Sequence, residues 1–329
     1  MIRKLRNTII AACAGATLLA CGGGGSSGST PAPIPTGNGG DLAPITLDNA
    51  EEAAGLVAGV ALGDGVFGAL SGVNIPAIPG ATGAIVTGAA KIRNQPQLFA
   101  TSSASVGCAE RGSVDIDITV TNPLQPTEGD VYALQFTECD DGDGTVTDGG
   151  MIIRITALDG DFESGQFLLG VSMELSAFQV TEGGETTGAN GAVTVAIDTR
   201  TPSITTITVS TNALATSGAG TAEAITDLTV TISEDESLFP AAVSVDTSFT
   251  IDSPRIGGEV VVSTSLALQS SGEGYPYVGE LRITGAGNSA VVLIALDADR
   301  VRLEIDIDGD GAFDSNLETT WDELLALTG

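Results

Sequence analysis

Histidine is missing altogether from these 329 residues, and its absence removes a large share of familiar enzyme chemistry. Ser-His-Asp and Cys-His catalysis need an imidazole base, and His-ligated zinc needs an imidazole nitrogen, so all three are excluded. Basic residues are scarce too, twelve Lys and Arg against 42 Asp and Glu, for a formal charge of −30. Nucleic acid is therefore excluded as a partner, because binding it requires a basic footprint. Aromatics are only 4% of the chain, so few side chains could stack on sugars and no interfacial girdle marks an outer-membrane barrel. Long apolar runs are lacking as well. The run after Asn49 breaks at Asp64-Gly65, and Pro76 and Pro79 break the next, short of the roughly 20 apolar residues a spanning helix needs.

What is present begins with a leader. Arg3, Lys4 and Arg6 form a charged start, and Thr8 to Ala20 follow as an apolar stretch of thirteen residues. That order matches a secretory signal and is too short to span a bilayer. Directly afterwards, Gly22 to Ser29 have the composition of a flexible linker. Leu18-Leu19-Ala20-Cys21 resembles the lipobox of bacterial lipoproteins. The resemblance implies cleavage behind Ala20 and acylation of Cys21, which then holds the mature chain to the lipid bilayer. Gly22 stands where an inner-membrane retention signal carries Asp, so the implied destination is the outer membrane, facing the periplasm or the cell surface. Removing residues 1 to 20 takes three of the twelve basic residues and none of the 42 acidic ones, leaving a formal charge of −33. Such acidity keeps a tethered protein soluble.

Four cysteines are present. Cys13 leaves with the leader and Cys21 is the anchor, so Cys108 and Cys139 remain for the folded part. An even pair in an oxidising compartment is expected to form a disulfide closing a loop of about 30 residues, contributing on the order of 3 kcal/mol. A redox pair would call for Cys-x-x-Cys spacing, which is absent.

Four segments follow: the signal at 1–20, a Gly/Ser/Pro-rich tether at 21–43, a helical segment at 44–107 and a β domain at 108–329. Asn49 with Glu52 three residues on predicts a capping box opening a helix from Asn49 to about Leu62. Gly55, Gly59 and Gly63 then share a face suited to close packing against a sheet or another backbone. A second helix is expected at 82–92, although Val86 and Thr87 also suit a strand.

From Cys108 the period shortens to two. Val114, Ile116, Ile118 and Val120 alternate with Asp115, Asp117, Thr119 and Thr121, as a strand with one wet face requires. Eleven similar strands are expected from about 131 to 306, with turns at Glu182-Gly183-Gly184, Asn190-Gly191, Gly218-Ala219-Gly220 and Gly285 to Asn288. The fold class is mainly β: an antiparallel meander forming a barrel, half-barrel or sandwich, with one or two N-terminal helices and a short C-terminal helix. Thr320 and Glu323 predict a capping box for that last helix, with Trp321 packing it on the sheet.

One stretch carries pointed chemistry. Asp306, Asp308, Asp310 and Asp314 occupy positions 1, 3, 5 and 9 of a loop with Gly311 at position 6 and the Ala312 carbonyl at 7, a pattern of oxygen ligands for Ca²⁺. It resembles the first part of an EF-hand or dockerin-type loop, but position 12 is Leu317, with Glu318 one step late, and a strand rather than a helix leads in. An Asp/Gly-rich hairpin turn is the plainer alternative. Asp140 to Gly144 is expected to be a solvated turn. Lipobox, spacer, paired-cysteine meander and closing acidic loop together resemble a group of proteobacterial lipoproteins and imply no particular activity. The functional expectation is a membrane-anchored, non-catalytic envelope lipoprotein with a structural, adhesive or interaction role. The alternatives are a carrier or receptor for an apolar ligand within a curved sheet, and a carboxylate-based hydrolase.

Replacing Cys21 with serine is expected to abolish incorporation of labelled palmitate and to move the protein from the membrane pellet to the soluble fraction of lysed cells.

Overall fold

The alternation that begins near residue 114 builds a single sheet. In the computed structural model the described residues are 41–62 and 101–327, except 123–125, 141, 143, 162–163, 219–220 and 272–273. The leader, Cys21, the tether to residue 40 and the expected second helix lie outside them. Helix α1 (Ala50–Leu62) precedes strands β1 (Thr101–Gly107), β2 (Arg111–Thr119), β3 (Val131–Asp140), β4 (Thr145–Asp161) and β5 (Gln166–Glu182). The longest strands continue through β6 (Glu185–Asp198), β7 (Ile204–Gly218), β8 (Thr221–Asp235), β9 (Ala242–Ser253) and β10 (Gly258–Ser271). Shorter ones close the chain: β11 (Val278–Thr284), β12 (Ala290–Ala295), β13 (Arg300–Asp306) and β14 (Ser315–Thr320), followed by helix α2 (Trp321–Ala326).

All fourteen strands pair antiparallel in chain order, and the sheet is not closed. A meander of this width needs curvature, and β-bulges are one source of it. Register shifts interrupt the ladders of β2 with β3, β3 with β4, β4 with β5, β5 with β6 and β6 with β7. Glu138 on β3 and Ala177 on β5 adopt left-handed backbone at these irregularities. Asn190-Gly191, expected as a turn, lies inside β6 at one of them. The Asn190 side-chain oxygen accepts the Ala177 N–H of β5, so turn-forming residues here serve a bulge.

Two expected boundaries also move. β1 occupies the end of the segment expected to be helical, and β14 follows the acidic loop. Thr-Ser-Ser-Ala-Ser-Val-Gly offers only Ala104 and Val106 as an apolar alternation, and Ser-Asn-Leu-Glu-Thr-Thr offers none. They are the two edge strands, which need only pair their backbones on one side, and polar side chains discourage edge-to-edge association.

The apolar face of the sheet is covered by α1, in which ten residues from Ala50 to Ala61 are buried. It packs against β9, β11, β12 and β13 on one side and α2 on another. One contiguous core links it to Phe167, Leu169, Val195, Ile207, Val230, Ile251, Leu281, Leu293 and Leu303. Ala, Gly and Val dominate α1 and permit this close approach. Of the expected glycine face, Gly55 meets α2, where a Cβ would stand 2.7 Å from the Leu324 carbonyl oxygen, and Gly63 lies outside the described residues. Helix α1 begins as expected, but its capping box does not form. The Asn49 side-chain oxygen accepts the N–H and hydroxyl of Thr46, and its amide donates to the carbonyls of Pro44 and Ile256. Glu52 is taken by Arg255 of the β9–β10 turn, which also donates to the Leu327 carbonyl. A tertiary ion pair thus takes the glutamate that would have capped the helix.

A second core lies under β2 to β6, where Phe136 and Phe178 meet edge to face at 5.8 Å between centroids. Cys108 and Cys139 are disulfide-bonded, with Cα atoms 5.5 Å apart, joining the end of β1 to β3 across β2. At the other end α2 forms as expected. The Thr320 hydroxyl accepts the Glu323 N–H while Glu323 accepts the Thr320 N–H. Trp321 is fully buried, stacks on Tyr275 at 6.1 Å and donates its indole N–H to the Pro276 carbonyl.

Gly55→Val forces α1 away from α2 and is expected to lower the unfolding free energy by about 1–3 kcal/mol in urea. Glu51→Ala, on the exposed side of the same helix, should change it by less than about 0.5 kcal/mol.

Candidate cation-binding hairpin

Asp306 ends β13 with its side chain 1% exposed, an expensive place for a carboxylate unless hydrogen-bonded. It is satisfied locally: Oδ1 accepts the Gly309 N–H at 2.8 Å and Oδ2 accepts the Gly311 N–H at 3.0 Å. Asp308 accepts from the Asp310 N–H, Asp310 from the Ala312 N–H, and Asp314 from the Ile307 N–H. Each acid therefore folds the loop around itself, and the Asp314 N–H closes the hairpin on the Ile305 carbonyl. Gly309 is needed twice over. Its φ of +74° suits glycine, and a Cβ there would lie 2.1 Å from the Gly287 carbonyl oxygen of the β11–β12 turn.

The result brings three of the expected ligands together. One carboxylate oxygen from each of Asp306, Asp308 and Asp314 lies within 4.8 Å of the others. Asp310 is not in that group, its carboxylate being turned to the Ala312 N–H. Leu317, at the twelfth position, is half-exposed on β14 opposite Leu303, and Glu318 faces Arg302 across the β13–β14 ladder. The loop thus lacks the bidentate acid of an EF-hand. Three carboxylates, one buried, are the oxygen ligands that a hard cation takes, and gathering them without one costs Coulomb repulsion.

The other expected sites are placed unevenly. Cys21 lies outside the described residues. In the Asp140 to Gly144 turn, Asp140 accepts the Gly142 N–H, and Asp141 and Asp143 are not described. Asp130, which the sequence reading passed over, is buried and accepts the N–H groups of Thr121 and Thr127 and the Thr127 hydroxyl. It is a turn-building acid. Four aspartates at positions 1, 3, 5 and 9, present at 306–314, separate the two, since around Asp130 the alternation stops at Glu128.

Among the described residues no helix is long and apolar enough to cross a membrane. Fold and site together define an open antiparallel β-meander, plugged by a helix and carrying an acidic hairpin near one edge. No protein-family model matches the chain, and a search of curated proteins finds no match.

Asp306→Ala leaves two amide groups without their acceptor and is expected to cost about 2–3 kcal/mol in chemical unfolding. Asp310→Ala, which removes one exposed contact, should cost less than about 1 kcal/mol.

Proposed function

We propose that the chain is a membrane-anchored, non-catalytic envelope lipoprotein whose role is structural, adhesive or interactive, with calcium stabilising its terminal hairpin. The observation that carries the calcium part is the meeting of Asp306, Asp308 and Asp314 within 4.8 Å on a loop already shaped by its own amide groups. A cation there would add ligands without rebuilding the turn. Asp306 and Asp314 connect β13 to β14, so bound calcium would stiffen an edge of the sheet and the base of α2.

The anchoring part rests on Leu18 to Cys21 and the spacer behind them. Acylation supplies about 0.8 kcal/mol per buried methylene, enough for stable attachment when more than one chain is present. The absence of histidine supports the non-catalytic part. Burial of α1 in the apolar face favours a plugged structural module over a carrier, because the space beneath β9 and β11–β13 is occupied by the chain itself.

Calcium is expected to raise the melting temperature relative to EDTA, since a ligand at 100 times its dissociation constant adds about 2.7 kcal/mol. Asp308→Asn should remove most of that rise while leaving the melting temperature in EDTA nearly unchanged. A melting temperature indifferent to calcium would eliminate the calcium part and leave the anchoring part untouched.

A further inference from the structure

We draw no further inference here: the strongest candidate, the surface patch that Leu238 and the fully exposed Phe239 form at the tip of the β8–β9 turn, carries nothing, because nothing in the structure shows what covers it.

Discussion

Burial of α1 under the sheet is the contact on which the other parts depend. A single sheet of fourteen strands presents one broad apolar face, and an uncovered face of that kind invites association. Small residues let α1 lie close to β9 and β11–β13 and also touch α2 through Gly55. The chain entering the helix is pinned from β10 and the β11–β12 turn: the Ala43 N–H donates to the Glu259 carbonyl, the Ala43 carbonyl accepts the Ala286 N–H, and the Ile45 N–H donates to the Ser289 hydroxyl. Arg255 then joins Glu52 of α1 to the end of α2. Segments some 200 residues apart thus meet around one helix, and the sheet's curvature has something to close on.

Acidity on this scale is tolerated because the acids are used in a few distinct ways. Some cap backbone turns from buried positions, as Asp130 and Asp306 do. Others hold the scarce arginines at strand ends. Hydrogen bonds from Arg300 hold Asp297 below the ordinary carboxylate range, and those from Arg200 do the same for Asp198. Glu323 is lowered chiefly by the Thr320 backbone N–H it accepts in the capping box. Folded values below unfolded ones mean stability that is present at neutral pH and lost as pH falls through the lowered values. These groups are exposed, so each contributes little.

Bulges shape the sheet at β5–β7 but not at the acidic hairpin. At β5–β7 they shift the ladders on both sides of β6. At the β13–β14 hairpin the ladder is regular, and the site comes from the loop alone, whose acids bond the nearest amides. That difference decides what could be seen beforehand. A loop that folds on its own neighbours leaves its pattern in consecutive residues, whereas the bulge at Gly191 depends on strand partners distant in the chain.

The sequence by itself determined the period of two from Val114 onward, the capping box at Thr320 and the aspartate spacing at 306–314, because each is a relation between near neighbours. It also offered Cys108 and Cys139 as the pair that forms the disulfide. Only the tertiary structure decided that Asn190-Gly191 belongs to a bulge, that Glu52 answers Arg255 instead of its own helix, that β1 and β14 are strands, and that Asp310 stands apart from Asp306, Asp308 and Asp314. In each case a distant partner outweighed local preference. Edge strands gain their pairing from a neighbour's backbone, and an ion pair or an intruding amide can redirect a side chain that propensity alone would have assigned elsewhere.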